Sequence, residues 1–163
     1  VNTANALIKI INRRQLKSDA KNHNKVKLFI CTPNGEQHNL ACNILESILL
    51  SKGYKVFNAS PSLPADSIID SLLGFVPDAI LISVTLEDNI QTAKNLVRKI
   101  RTRFSSLPIF VGGLALNVTN KPVTFNANNI TIIRNTIFQY EEMADRLEHY
   151  LAKESLERSI TSN

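Results

Sequence analysis

The stretch Thr32-Pro33-Asn34-Gly35-Glu36-Gln37-His38-Asn39-Leu40-Ala41 separates a short apolar run from a long amphipathic segment. This change of hydrophobic period predicts a strand followed by a helix. In an open parallel sheet, ligands bind at the carboxyl edge of the strands. His38 can ligate a metal there, and the carboxylate of Glu36, two residues earlier, can fix the tautomer of the imidazole. The stretch therefore predicts a loop that holds a metal or a metallocofactor.

Size and composition favour one folded domain. The chain has 163 residues, of which 44% are hydrophobic, and this is enough for a substantial core. No apolar run approaches the roughly 20 residues that span a bilayer, so we expect a soluble, cytoplasmic protein with no membrane partner.

Cys31 and Cys42 offer neither a disulfide framework nor a thiolate metal site, and we expect buried thiols. Because the sequence starts at Val1 and its only methionine is Met143, we expect a fragment of a longer protein.

The positive charge is concentrated at the amino end of the chain. Residues 1–27 contain seven basic residues and one acidic residue, whereas the remainder contains 12 basic and 13 acidic residues. A solvated basic linker explains this distribution better than a nucleic-acid-binding face on the folded body. We expect residues 1–25 to be a helix and linker that end an upstream module, residues 26–158 to be the folded domain, and residues 159–163 to be a tail.

Short apolar runs alternate with longer amphipathic segments from residue 26 onward. The predicted strands cover residues 26–31, 55–59, 79–84, 108–111 and 130–133. The predicted helices cover residues 5–16, 37–52, 64–73, 89–104 and 138–156, with Pro64 in a first turn and Gly53 and Gly74 as helix stops. This alternation indicates βαβ units.

Parallel neighbours need a helix-length return, so the alternation favours a parallel sheet with right-handed crossovers. We predict an α/β fold with a doubly wound five-stranded parallel sheet, flavodoxin-like (Rossmann-like) with strand order 2-1-3-4-5, preceded by a short N-terminal helix. The switch point then lies between strands one and three. The loops at residues 33–38 and 83–88 are the predicted site.

Three other users of this fold do not match the chemistry of these loops. A receiver domain needs a phosphorylatable aspartate at the end of strand three, where this chain has Ser83, Val84 and Thr85. A dinucleotide site needs Gly-x-Gly-x-x-Gly after a strand, and residues 32–36 contain one glycine. A flavodoxin needs a hydroxyl-rich phosphate loop, and the charge of Glu36 would repel phosphate.

Three short motifs, one after each of strands one, three and four, resemble the signature of cobalamin (vitamin B12)-binding domains. That signature is Asp-x-His-x-x-Gly, then Ser-x-Leu or Ser-x-Thr, then Gly-Gly. The motifs stand here as Glu36-x-His38-x-x-Ala41, Ser83-x-Thr85 and Gly112-Gly113. The Pro-x-Gly-Glu-x-His form of the first motif is most similar to the C-terminal domains of MerR-type, light-responsive transcription regulators. The resemblance covers residues 26–156.

The resemblance implies a role for each of these residues toward adenosylcobalamin or methylcobalamin. His38 would be the lower axial ligand to cobalt, after the dimethylbenzimidazole of the cofactor is displaced. Glu36 would hydrogen-bond the other ring nitrogen of His38. Ser83 and Thr85 would line a slot for the nucleotide tail.

The glycines and Ala41 would set the width of this slot. Gly112 and Gly113 would let the tail lie against backbone, where a Cβ would obstruct it. Ala41 stands where the family has glycine, so its methyl group either narrows the slot or is absorbed by a small shift.

The resemblance leaves three functions open. The first is a non-catalytic sensory domain, in which cofactor state, possibly set by light, controls oligomerisation and DNA binding through a domain outside this chain. Its partners would be an upstream helical cap or a second copy. The second is a corrinoid protein that carries a methyl group between methyltransferases. The third is a degenerate or haem-binding interaction module.

Overall fold

The sequence folds into alternating strands and helices, as seen in a computed structural model that describes residues 3–8, 26–119, 122–134, 149 and 152–153. Residues 3–8 form helix α1. The elements that follow are β1 (Lys27–Cys31), α2 (Leu40–Ser51), β2 (Lys55–Asn58), α3 (Ala65–Phe75), β3 (Ala79–Ser83), a 3₁₀ turn (Glu87–Asn89), α4 (Ile90–Arg101), β4 (Ile109–Gly112), α5 (Leu114–Val118) and β5 (Ile130–Ile132).

All five strands pair in parallel, in the order β2-β1-β3-β4-β5. The predicted doubly wound, flavodoxin-like sheet is therefore confirmed, and so is the short N-terminal helix. In the register of the sheet, Ser83 at the end of β3 lies opposite Gly112 at the end of β4. The second and third predicted motifs are thus neighbours at the carboxyl edge.

Both faces of the central strands are buried. Alternate residues of β3 point to opposite faces, so that Ile80 and Ile82 pack with α3 and α4 whereas Leu81 packs with α2. This two-sided burial explains the continuous apolar run of β3. Cys31 and Cys42 are both buried, as predicted.

The bounds of α2 and α3 differ from the predicted ones at three positions. Helix α2 starts at Leu40 rather than at residue 37, because the backbone N–H of His38 is bound by the Glu36 side chain. Gly74 does not end α3, which continues to Phe75 and stops at Val76 with a left-handed φ of 50°. Pro64 is the N-cap of α3 rather than a first-turn residue.

Some predicted segments fall where the structure gives no description. The predicted last helix, at 138–156, lies almost wholly outside the described residues, and so do most of the linker before residue 26 and the tail at 159–163. The short helix α5 was not predicted. None of the helices in the described ranges is long and apolar enough to cross a bilayer.

Candidate functional site

Glu36 joins two loops across the switch point of the sheet. Its side chain is completely buried. Oε2 accepts hydrogen bonds from the backbone N–H of Thr85 at 2.9 Å, the backbone N–H of Leu86 at 3.0 Å and the side-chain amide of Asn89 at 2.9 Å. Oε1 accepts the backbone N–H of His38 at 3.1 Å and lies 2.6 Å from Nδ1 of the same residue. One carboxylate therefore fixes the loop after β1 to the loop after β3.

These contacts keep Glu36 ionised. Burial alone would raise the pKa of this carboxyl group, but hydrogen bonds from Asn89, Leu86 and His38 outweigh it and lower the pKa to about 2. A carboxylate can only accept hydrogen bonds, so a neutral His38 ring would donate from Nδ1. The lone pair of a neutral ring is then on Nε2, and the His38 side chain is 57% exposed. This is the arrangement in which an imidazole ligates a metal.

The turn that carries Glu36 is held from a second side by the loop after β2. The backbone N–H of Gly35 donates to Oγ of Ser62 at 2.8 Å, and the backbone N–H of Ser62 donates to the buried Oγ1 of Thr32 at 2.8 Å. Gly35 has a φ of +88°, which favours glycine. These hydrogen bonds therefore hold in place the turn that precedes His38.

A cavity of about 180 Å³ opens between α2 and the carboxyl ends of β1, β3 and β4. Five of the seven residues singled out in the sequence line it, namely Ala41, Ser83, Thr85, Gly112 and Gly113. Most of the remaining lining is apolar and includes Ile30, Leu45, Leu81, Phe110 and Ile133. Glu36 and His38 are not part of the lining, but Glu36 binds the backbone of Thr85. Glu36 thus connects His38 to a residue of the cavity wall.

The two adjacent glycines play different structural roles. Gly113 has a φ of +118°, and a Cβ there would lie 2.2 Å from the carbonyl oxygen of Val84. A Cβ on Gly112 would meet the carbonyl oxygen of Ile133 at 3.5 Å, an ordinary contact. Gly113 is therefore required by the packing of the chain itself, whereas the backbone of Gly112 could carry a methyl group at the cavity wall.

The sequence did not single out Cys42 and Asn89 as site residues. Cys42 lines the cavity and is hydrogen-bonded to Ser60 and Ser83. Burial raises the pKa of its thiol to about 11, so that it stays protonated at neutral pH. Asn89 binds Glu36, and its position at the predicted start of a helix after strand three was the available signal. Cys42 had no comparable signal, because a cysteine on an apolar helix face indicates core.

Two arginines hold backbone carbonyl groups at opposite edges of the sheet. Arg134, after β5, donates from Nη1 to the carbonyl oxygen of Leu116 at 2.6 Å. Arg101, at the end of α4, donates to the carbonyl oxygens of Phe104, Leu107, Asn128 and Asn129. Arg101 therefore stabilises the loops that lead into β4 and β5.

Comparisons with known proteins agree with this geometry. Residues 26–133 match the family described as B12 binding domain. No curated protein matches the chain significantly. Among solved structures, the fold resembles the methanol:cobalamin methyltransferase complex MtaBC from Methanosarcina barkeri, with a TM-score of 0.66 and 17% identity. That match covers 88% of this chain and 54% of the other.

Two further structures are similar. The monomethylamine corrinoid protein of Methanosarcina barkeri has a TM-score of 0.60 and 12% identity, over 86% of this chain and 63% of that one. A cobalamin-binding protein from Desulfitobacterium hafniense DCB-2 has a TM-score of 0.53 and 19% identity, over 79% and 63%. This chain thus spans less than two thirds of each of the three proteins, and at these identities the likeness shows the fold alone. The family match covers most of the chain, which therefore belongs to the B12 binding domain family and has cobalamin as its cofactor.

Proposed function

We propose that this domain binds cobalamin with Nε2 of His38 as the lower axial ligand to cobalt. The observation that carries the proposal is the 2.6 Å contact between Nδ1 of the exposed His38 and Oε1 of the buried Glu36. The contact orients the ring and fixes the tautomer in which Nε2 carries the lone pair. When bound, the cofactor supplies a cobalt centre whose upper ligand can be exchanged.

In this proposal the cavity beside His38 takes the nucleotide tail of the cofactor. Its mostly apolar lining suits an aromatic base, and Ser83 and Thr85 add hydroxyl groups that can bind polar atoms of the tail. Gly112 has no side chain and so leaves room for the tail at the cavity wall. Ala41 also lines the cavity, so its methyl group limits the width of the slot.

We infer further that the domain is the sensory part of a transcription regulator of the MerR type. The Pro33-x-Gly35-Glu36-x-His38 form of the loop supports this subtype. A glutamate is one methylene longer than the commoner aspartate, and Glu36 uses this reach to bind both His38 and the backbone after β3. DNA would be bound by a domain outside this chain, connected through α1 and the basic linker.

A methyl-carrying corrinoid protein is the second candidate. It is favoured by the likeness of the fold to a corrinoid protein and to a methanol:cobalamin methyltransferase complex. Its partners would be methyltransferases rather than DNA. A degenerate or haem-binding interaction module on the same fold is the third.

The role of His38 is tested by the visible spectrum of the purified chain with hydroxocobalamin after gel filtration. We expect stoichiometric retention and a base-off spectrum with histidine ligation. His38→Ala should lose this spectrum and keep the fold, because the loop contributes little to the core. His149→Ala, at another exposed histidine, is the matched control and should resemble the wild type. A histidine-ligated spectrum in His38→Ala would remove His38 from this role.

A second experiment separates the candidate functions. The chain is loaded with adenosylcobalamin or methylcobalamin in the dark, and its mass is measured by light scattering before and after illumination. A light-dependent change of mass supports the sensor. A constant mass, together with binding of the loaded chain to a methyltransferase, supports the carrier. No retention of any cobalamin would support the interaction module.

A further inference from the structure

Asn39 is the N-cap residue of α2, but its side chain is used elsewhere. Asparagine is preferred at N-caps because its oxygen accepts a backbone N–H of the first turn. Within the described part of the chain, the side chain of Asn39 makes no such bond, and its backbone has φ −120° and ψ 2°. Its Oδ1 instead accepts a hydrogen bond from Nδ2 of Asn5 in α1, at 3.1 Å. The side chain that would cap α2 is therefore hydrogen-bonded to α1 instead.

Asn5 makes a second contact with α2, one turn further on. Its Oδ1 accepts a hydrogen bond from Nδ2 of Asn43 at 2.9 Å. Asn43 is completely buried, and its Oδ1 accepts a hydrogen bond from Asn58 at the end of β2 at 3.1 Å. Leu7 in α1 is 58% exposed, so it buries little apolar surface. The amide of Asn5 is thus a specific anchor between α1 and the folded domain.

These contacts give Asn39 two competing partners. If α1 moves away, Oδ1 of Asn39 can accept an N–H of its own helix. A capping residue usually has an extended backbone, whereas Asn39 now has ψ near 0°. Capping would therefore rotate the backbone of Asn39. His38 directly precedes it, so this rotation would change the placement of the imidazole against Glu36.

We propose that Asn5 is a positioning residue that couples the docking of α1 to the orientation of His38 and thereby to cobalamin affinity. The proposal rests on the role of His38 in the proposed function. Coupling between two binding events is reciprocal. Cobalamin therefore strengthens the docking of α1 by the same factor by which docking strengthens cobalamin binding. A module attached upstream of α1 would respond to the cofactor through this contact.

The coupling is tested with three variants of the full chain. Asn5→Ala removes both contacts. Asn5→Asp keeps an acceptor for Asn43 but removes the donor to Asn39. Thr3→Ala, at an exposed position of α1, is the matched control. Without cobalamin, we expect the NMR signals of the His38 ring to shift in both Asn5 variants and to stay unchanged in Thr3→Ala.

With hydroxocobalamin, we expect both Asn5 variants to bind about fivefold or more weakly than the wild type. Amide hydrogen exchange of residues 3–8 should slow by a similar factor when the wild type binds cobalamin, and this response should vanish in Asn5→Ala. A purely structural role of Asn5 would not produce this reciprocity.

Unchanged His38 signals and unchanged affinity in Asn5→Ala would overturn the coupling. A wild type that binds cobalamin with histidine ligation, but whose exchange at residues 3–8 does not respond, would overturn it and leave the proposed function intact. A wild type that binds no cobalamin would overturn the proposed function, and the His38 signals of the cobalamin-free variants would then decide whether Asn5 positions the imidazole.

Discussion

Gly112 and Gly113 are adjacent, but their substitutions should have opposite consequences. A methyl group on Gly113 would collide with Val84 and would need a left-handed φ, so we expect Gly113→Ala to cost at least about 1–3 kcal/mol of stability. A methyl group on Gly112 meets Ile133 at ordinary contact distance but reduces the width of the cavity. We therefore expect Gly112→Ala to keep the urea midpoint and to weaken cobalamin binding.

Urea unfolding and a visible titration of each variant with hydroxocobalamin would measure both effects. Each variant is the control of the other, since both add one methyl group at neighbouring positions. Equal stability losses in the two variants would contradict the structural distinction. Unchanged cobalamin affinity in Gly112→Ala would mean that the tail does not lie against this wall.

Glu36 should make stability depend on acid pH. Its pKa is about 2 in the folded chain, below the ordinary value of 4.5, so the folded state favours the ionised form. This contribution is complete above pH 4.5 and is lost as the pH falls toward 2. Glu36→Gln should reduce the change in the free energy of unfolding between pH 4.5 and pH 2. At pH 7 it should also cost about 1–3 kcal/mol, because an amide N–H₂ would face N–H donors.

Urea unfolding at several pH values would measure the slope. Glu87→Gln, at an exposed position of the 3₁₀ turn, is the matched control and should keep the slope of the wild type. The prediction is wrong if Glu36→Gln has the same pH dependence as that control.

At the scale of single elements, the sequence predicted the type of each long segment between residues 26 and 134 better than its ends. The strands and the long helices have strong hydrophobic periods, which are the most reliable signal. The start of α2 was placed too early, because the side chain of Glu36 binds the backbone of His38 and this competition has no periodic signature. The end of α3 at Val76 was missed because glycine, not valine, is typical of a left-handed cap.

The loops between α4 and β5 depend on one side chain at the end of a helix. Arg101 donates to the backbone carbonyl groups of Phe104 and Leu107, which precede β4, and of Asn128 and Asn129, which precede β5. Arg101→Lys loses the planar fork of donors, so we expect a loss of about 2–4 kcal/mol in the free energy of unfolding. Arg103→Lys, at an exposed position two residues later, should be close to neutral. Urea unfolding of both variants gives the comparison, and equal effects would contradict it.

At the scale of the whole molecule, topology was predictable because physical rules leave few choices. Alternating strands and helices require parallel pairing with right-handed crossovers, and the switch point then fixes which loops meet. The sequence therefore correctly predicted that residues 33–38 lie close to residues 83–88. It did not predict the hydrogen bonds from the backbone N–H groups of Thr85 and Leu86 to Glu36, because backbone donors have no sequence signature. It also could not predict the contact of Asn5 with α2, because asparagine pairs have no fixed spacing.

A ligand that binds only the folded state should raise the melting temperature of the whole domain. At a free concentration one hundred times its Kd, hydroxocobalamin should add about 2.7 kcal/mol, which corresponds to about 5–10 °C for a chain of this size. Dicyanocobinamide has the corrin ring but no nucleotide tail, so it cannot use the cavity lined by Ser83 and Gly112. At equal concentration we expect a smaller rise from it, measured by differential scanning fluorimetry. Equal rises from the two corrinoids would show that the cavity does not bind the tail, whereas a selective rise that Gly112→Ala reduces would assign the cavity to it.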